Sequence, residues 1–117
     1  MKKIMTLAAA LGAASISFGA HAAGNIEAGK AAVQKYNCAS CHGADFNSPI
    51  DPAYPKLAGQ HRDYLQHALV AYKRGGDAMN GRGNAIMGPL AAQLSQQDVQ
   101  NIAAYLHSLP GSMVMRK

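Results

Sequence analysis

The chain of 117 residues contains no tryptophan and only two phenylalanines, so its aromatic side chains cannot fill a hydrophobic core by themselves. Only two cysteines are present, which is too few for the paired clusters of a structural zinc site. Its 11 basic residues form no stripe with interleaved aromatics, which argues against a nucleic-acid partner, and Lys73, Arg74 and Arg82 are interpreted as solvated charges. These absences indicate one small domain that needs a stabilising group besides its own side chains.

Both cysteines lie in the stretch Cys38-Ala39-Ser40-Cys41-His42. The C-x-x-C-H spacing is the signature of covalent haem attachment, in which each thiol forms a thioether with a haem vinyl group. His42 is then the proximal ligand of the iron. The alternatives are a thioredoxin-like redox pair, which requires a βαβ setting, half of a zinc site, and a simple disulfide. The flanking sequence has the pattern of helix and loop, and a bound porphyrin supplies the missing apolar centre, so we predict one haem c.

The first 22 residues have the layout of a secretory signal peptide. It comprises Met1-Lys2-Lys3, an apolar run from Ile4 to about Phe18, and the cleavage site Ala20-His21-Ala22. We therefore predict export to the periplasm and a mature haem domain over residues 23–117, with 9 basic and 6 acidic residues. A retained membrane anchor is the alternative, but the run falls short of the about 20 apolar residues of a span.

The remaining sequence predicts an all-α domain with three main helices and two long loops. The first helix runs from the cap Asn25 to about Tyr36, the second from about Gln60 to Arg74, and the third from Ser95 to Pro110. Apolar residues at helical spacing define one buried face on each helix. These faces are Ile26, Gly29, Val33 and Tyr36; Leu65, Ala68, Leu69 and Tyr72; and Val99, Ile102, Ala103 and Leu106.

The two loops carry the remaining candidate haem contacts. A carbonyl in the proline-rich loop 43–59 is the nearest acceptor for the other ring nitrogen of His42, and Pro55 is a candidate. In the glycine-rich loop 77–89, Met79 and Met87 are the two candidates for the sixth iron ligand, and bis-histidine ligation by His61 is the alternative. His67 and His107 are interpreted as surface residues. Tyr54, Tyr64 and Tyr72 are interpreted as haem packing or propionate contacts.

The chain resembles the class I c-type cytochromes, in particular short bacterial monohaem cytochromes of the c-553 kind and single domains of the dihaem c-four type. The resemblance is carried by Cys38-Ala39-Ser40-Cys41-His42-Gly43, Tyr54-Pro55-Lys56-Leu57-Ala58-Gly59-Gln60-His61, Tyr64-Leu65, Met87-Gly88-Pro89-Leu90-Ala91-Ala92-Gln93-Leu94-Ser95, Asp98, and Ile102-Ala103-Ala104-Tyr105-Leu106. It implies the class I cytochrome c fold around one covalently bound haem. It also implies that Met87 is the axial methionine and that the carbonyl of Pro55 orients His42. The first helix would cross the last through Gly29 and Val33 against Ile102 and Tyr105. Met79 is an extra methionine in this pattern.

Histidine and methionine together would fill both axial positions of the iron, which leaves no position for a substrate. We therefore expect an electron carrier rather than an enzyme, with no small-molecule substrate and no stable membrane insertion. The expected donors are a quinol-oxidising complex or a periplasmic dehydrogenase, and the expected acceptors are a terminal oxidase or reductase. Two alternatives remain. One is a haem subunit of a periplasmic oxidoreductase complex, and the other is a peroxidase-like protein or gas sensor with a labile methionine.

Overall fold

The computed structural model describes residues 24–113, together with Gly12, and within that part every regular element is a helix. The elements in chain order are α1 (Ile26–Lys35), α2 (Ala39–His42), α3 (Arg62–Arg74), α4 (Met87–Ala92) and α5 (Gln96–Ser108). The predicted all-α class is confirmed, and α1, α3 and α5 match the three predicted helices. The predicted signal peptide lies outside the described residues. Within residues 24–113 every helix is too short or too polar to reach across a lipid bilayer.

Helices α1 and α5 pack directly on each other, and Gly29 lies at their closest approach. A Cβ atom on Gly29 would lie 2.0 Å from the backbone oxygen of Asn101, so no larger residue fits there without movement. Both predicted caps are present. The Asn25 side chain accepts a hydrogen bond from the backbone N–H of Ala28 at 2.8 Å. Ser95 and Asp98 form a reciprocal capping box at the start of α5.

The core lies between α1, α5 and the loop that follows α2. Its buried members are small or aliphatic, and Phe46 is its only buried aromatic residue in the described part of the chain. Phe46 is 3% exposed and packs edge-on against Tyr105, with ring centroids 6.2 Å apart. Its carbonyl oxygen accepts from the backbone N–H groups of Leu57 and Ala58. The long loop 43–60 is therefore folded around Phe46.

Two sequence predictions differ from the structure. Ile26 was expected on the buried face of α1, but its position in the first turn leaves it 48% exposed. Residues 77–89 were expected to form a loop, but α4 begins at Met87 and contains Pro89. Proline is tolerated in the first turn of a helix because the N–H groups of that turn have no partner within the helix. Pro89 therefore lies inside α4, and the loop ends before Met87.

Candidate haem site

The C-x-x-C-H motif forms its own short helix, α2, immediately after α1. Asn37 stands between the two helices at φ +54°, in the left-handed region that asparagine tolerates, and it redirects the chain. Gly43 ends α2 at φ +84°, and a Cβ atom there would lie 2.2 Å from the carbonyl oxygen of Ser48. This tight geometry buries His42 to 6% exposure while the two thiols stay half-buried.

His42 is oriented by a backbone carbonyl from the proline-rich loop. The Nδ1 atom of His42 lies 2.9 Å from the carbonyl oxygen of Pro55, which makes Nδ1 the donor and leaves Nε2 without its proton. Nε2 is therefore the nitrogen that is available to a metal. A hydrogen bond from the remote ring nitrogen is the usual way in which proteins orient a metal-binding histidine and make it more basic.

A large cavity lies beside His42 and has a volume of about 510 Å³, within the range of about 300–1,000 Å³ for cofactor sites. Its lining includes Cys41, His42, Met87 and the inward face of α3. That face was predicted to be buried, yet in the structure only Leu65 is, whereas Ala68, Leu69 and Tyr72 remain half-buried and line the cavity. An apolar helix face that lines a cavity of this size suits a large planar apolar group, so the residues present fit a haem.

A second cavity, of about 270 Å³, adjoins the first and contains the other thiol. Cys38 and Cys41 both line it, and His42 and Met87 line both cavities. The two cavities therefore form one slot, which is lined by His42, Met87 and the thiols of Cys38 and Cys41. No group of three or more His, Cys, Asp and Glu side chains that could hold a metal by themselves occurs among the described residues.

The structure distinguishes the two candidate methionines. Met79 is 88% exposed and lines neither cavity, whereas Met87 is half-buried and lines both. Met87 is positioned by Asn84, whose side-chain oxygen accepts from the backbone N–H groups of Ile86 and Met87 at 2.9 Å each. This side-chain cap sets the direction in which α4 begins, and hence the placement of Met87.

Among the described residues that line the main cavity, Lys56 and Arg82 are the charged ones, and none is an aspartate or glutamate. The Arg82 guanidinium lies over the rings of Tyr64 and Tyr72, at 5.6 and 5.7 Å from their centroids. Hydrogen bonding to Tyr64 raises the pKa of Arg82, and Tyr72 adds to this effect. A cavity wall with two cations and no carboxylate suits a ligand that carries negative charge.

Cys38 does not have the lowered thiol pKa of a reactive redox cysteine. Burial raises the pKa of the Cys38 thiol, although a backbone hydrogen bond opposes part of the shift. Redox-active thiols in C-x-x-C motifs have lowered pKa values, because the thiolate is the reactive form. The strand that a thioredoxin-like βαβ unit would require is also absent from residues 24–113.

The other histidines lie away from the slot. His61 and His67 are exposed and line neither cavity, so the bis-histidine alternative has no geometric support. His107 is exposed and its Nδ1 atom lies 2.8 Å from the carbonyl oxygen of Gln60, as expected for a surface residue that makes a hydrogen bond. Tyr54, Tyr64 and Tyr72 all line the main cavity.

Sequence reasoning missed several residues of the site. Asn84 could have been found, because an asparagine three positions before a helical residue is a common capping arrangement. Arg82 was interpreted as a solvated charge, and its place at the cavity depends on how the glycine-rich loop folds back on α3. Met113 also lines the cavity, and no local sequence signal indicates this.

The combination of an all-helical fold, a C-x-x-C-H helix and an apolar slot defines a c-type haem protein. The sequence model of the family described as Cytochrome c matches residues 26–110, and this chain belongs to that family. Family membership, together with the spacing of Cys38, Cys41 and His42, confirms the prediction of one covalently bound c-type haem.

Several known proteins are similar to this chain. Cytochrome c4 from Stutzerimonas stutzeri is 45% identical over 98 residues, which cover 80% of this chain and 45% of that protein. Cytochrome c-554(547) from Halothiobacillus neapolitanus is 40% identical over 93 residues, which cover 74% of this chain and 99% of that protein. The crystal structure of reduced recombinant cytochrome c4 from Pseudomonas stutzeri superposes with a TM-score of 0.67 at 41% identity, over 77% of this chain and 48% of that one. This chain thus spans about half the length of these cytochrome c4 relatives.

Proposed function

We propose that this protein is a periplasmic electron carrier with one haem c, held in the mature domain 23–117 after removal of residues 1–22. The observation that carries the proposal is the slot in which a buried, oriented histidine and a half-buried methionine share one lining. A histidine and a methionine that both bind the iron would leave no position for a substrate, which favours electron transfer over catalysis. When bound, the haem supplies an iron that gains or loses a single electron.

In this proposal each residue of the slot has one role. Cys38 and Cys41 would hold the haem by thioether bonds, and His42 would bind the iron through Nε2 while the carbonyl of Pro55 fixes the ring. Met87 would supply a thioether sulfur as the second protein ligand. A methionine ligand raises the reduction potential, because soft sulfur favours ferrous iron. The apolar face of α3 excludes water from the haem, which also raises the reduction potential.

The open side of the cavity is the natural point of electron exit. Tyr64 and Ile86 line the cavity and are 49% and 51% exposed, so they reach both the cofactor site and the surface. A partner that docked there would come close to the haem edge without disturbing the iron ligands. We propose brief docking through an interface below about 1,200 Å², as is typical of redox encounters. The donor would be a quinol-oxidising complex or dehydrogenase, and the acceptor a terminal oxidase or reductase.

The test is a visible spectrum and a redox titration of the purified mature protein, followed by carbon monoxide addition to its reduced form. A carrier with both axial positions filled gives one reversible one-electron step and does not bind carbon monoxide readily at neutral pH. Rapid stoichiometric binding would instead identify a sensor or a peroxidase-like protein. Purification only within a stable enzyme complex would identify a permanent haem subunit.

The ligand assignment is tested with two matched variants. Met87→Ala removes the sulfur, so the potential should fall and carbon monoxide should bind. Met79→Ala makes the same change at a site 88% exposed and should alter neither property. The reverse pattern would show that Met79 is the ligand.

A further inference from the structure

We propose that residues Gly111, Ser112 and Met113 form a strap, called here the 111–113 strap, which closes the haem cavity beside the loop that orients His42. Met113 lies at the cavity wall, and the Met113 side chain keeps water from that side of the cofactor. The proposal rests on the proposed function, because it assigns a role at the same haem. The family match ends at residue 110, so the strap lies beyond the matched sequence.

The strap begins with a close backbone contact at Gly111. A Cβ atom on Gly111 would lie 2.0 Å from the carbonyl oxygen of Ala58, which is fully buried. Gly59 lies opposite, and a Cβ atom there would come within 3.4 Å of the Gly111 nitrogen. Glycine at position 111 therefore allows the strap to lie directly against the loop 43–60.

Ser112 fastens the strap to the same loop by side-chain hydrogen bonds. Its backbone N–H and its hydroxyl both donate to the Oδ1 atom of Asn47, at 3.2 and 2.9 Å. The ammonium group of Lys56 lies 3.4 Å from the Ser112 hydroxyl oxygen. Asn47 and Lys56 lie on either side of the loop segment that reaches Pro55, so the strap bridges the segment that orients His42.

Met113 completes the strap at the cavity wall. The side-chain amide nitrogen of Gln60 lies 3.8 Å from the Met113 sulfur, and both residues line the main cavity with Leu57. A thioether is apolar and adaptable in shape, so it can seal an irregular gap beside a flat cofactor. If the strap opened, water would reach this side of the haem, ferric iron would be favoured and the potential would fall.

The first test measures how well Met113 is protected in the haem-loaded protein. The protein is treated with limiting chloramine-T, and sulfoxide formation is followed at each methionine by peptide mass spectrometry. Since oxidation follows exposure, Met113 should react at least about tenfold more slowly than Met79, the exposed control within the same molecule. Equal rates at the two positions would overturn the proposal.

The second test releases the strap without altering the cavity lining. Asn47→Ala removes the acceptor of both Ser112 hydrogen bonds, so the open fraction and the oxidation rate of Met113 should rise by about five- to thirtyfold. The midpoint potential should fall in the same variant. Asn47→Asp retains an oxygen acceptor at this position and should restore the slow oxidation of Met113. An Asn47→Ala protein with unchanged potential and unchanged Met113 protection would overturn the proposal.

The third test changes only the side chain at the cavity. Met113→Gln introduces a polar group of similar length and should lower the potential, while Met113→Leu should leave it near the parent value. Met79→Gln is the matched control and should have no effect. If Met113→Gln leaves the potential unchanged, Met113 does not exclude water. A normal haem spectrum in these variants keeps the proposed function intact, so failure of the strap is distinguishable from failure of the haem assignment.

Discussion

At the scale of single residues, Arg82 is one of two cations in the lining of the haem cavity, and we propose that it would hold a haem propionate. Its guanidinium lies over Tyr64 and Tyr72, and the described residues of the lining include no carboxylate. Its backbone N–H donates to the carbonyl oxygen of Ala71 at 2.9 Å, which fixes the loop on α3. An arginine held in this way can pair with a carboxylate through two parallel hydrogen bonds.

Replacing Arg82 should make the potential depend on pH. In the parent, Arg82 beside a haem propionate would keep the pKa of that carboxyl group low, so we expect no proton to accompany the electron at neutral pH. In Arg82→Gln this pKa rises, and because ferric iron lowers it more than ferrous iron does, the potential should decline between about pH 5 and 8. Loss of the positive charge should also lower the potential at pH 7. Redox titrations at several pH values measure both effects.

The matched control is Arg74→Gln, which removes the same charge from the end of α3 outside the lining of the haem cavity. The other titratable groups around Arg82 are Tyr64, Tyr72, His67 and Arg74, with Lys56 in the lining of the haem cavity. They are present in both the parent and Arg82→Gln and therefore contribute the same background. A potential as independent of pH in Arg82→Gln as in the parent would contradict the prediction.

A residue of the site could be predicted from the sequence when the pattern that indicates it lies in neighbouring residues. Cys38, Cys41 and His42 are consecutive in one motif, and their chemistry can be read without a fold. The contact between His42 and Pro55 was expected from the need of a ligating histidine for an acceptor and from the resemblance. Arg82 and Met113 reach the cavity only because distant segments fold against α3 and the loop 43–60, and no local pattern contains that information.

At the scale of elements, the crossing of α1 and α5 should be intolerant of even one methyl group. In Gly29→Ala the new Cβ would lie 2.0 Å from the Asn101 backbone oxygen, which cannot rotate away. Overpacking of this kind costs about 1–3 kcal/mol and exceeds the gain of about 1 kcal/mol in helix propensity. The free energy of unfolding should therefore fall, as measured by denaturant titration of the haem-loaded protein.

Ala31→Gly is the control for this prediction, because Ala31 lies on the exposed face of the same helix. That substitution changes only helix propensity there and should cost about 1 kcal/mol. A Gly29→Ala protein as stable as the parent would show that α1 and α5 can shift apart enough to hold a methyl group without cost.

The hydrogen bonds of Asp98 at the N-terminus of α5 should add to the free energy of unfolding at neutral pH, and acid should remove this contribution. Asp98 accepts hydrogen bonds from the Ser95 backbone N–H and the Tyr36 hydroxyl, and these lower the pKa of its carboxyl group. Because the folded pKa lies below the unfolded value of about 3.9, this contribution is complete above about pH 4 and is lost as the pH falls through the folded value. Asp98→Ala should cost about 1 kcal/mol at pH 7 through loss of the cap, and less as the pH decreases.

Denaturant titrations of parent and variant between about pH 2 and 7 measure this difference. Tyr36→Phe keeps the capping box and removes only the hydroxyl, so it should show a smaller effect of the same sign. If the free energies of unfolding of the parent and Asp98→Ala differed by the same amount at every pH, the charge of the Asp98 carboxylate would not contribute to stability.

The helices show which elements a sequence reveals. Helices α1, α3 and α5 carry a cap, an apolar face or a terminal glycine, and these local signals predicted them. Helix α4 has six residues and contains a glycine and a proline, so its local preferences oppose a helix. It forms because Asn84 caps it and Ala91 is fully buried in the fold, and both depend on contacts made by the tertiary structure.

At the scale of the whole molecule, we expect the domain to depend on its cofactor to bury one helix face. Ala68, Leu69 and Tyr72 of α3 line the haem cavity and are only half-buried, so without a haem their apolar surface faces water. A small domain has a free energy of unfolding of only about 5–15 kcal/mol, so the loss of this burial removes a large share of it. We therefore expect the haem to serve as part of the core.

Removing both attachment sites should accordingly unfold the protein. Cys38→Ala with Cys41→Ala prevents covalent attachment, and circular dichroism should show loss of most helical signal and no cooperative thermal transition. Cys38→Ala alone keeps one thioether and should give a folded protein of lower melting temperature. Cooperative unfolding of the haem-free double variant would show that the side chains suffice.

The pairing of α1 with α5 also makes closure of the domain depend on its last helix. Asn25 and Tyr36 bond to Asn101 and Asp98, partners that lie 76 and 62 positions further along the chain. A chain that stopped before residue 95 would therefore lack the partners of α1, and the face of α1 that carries Gly29 and Val33 would stay open to water.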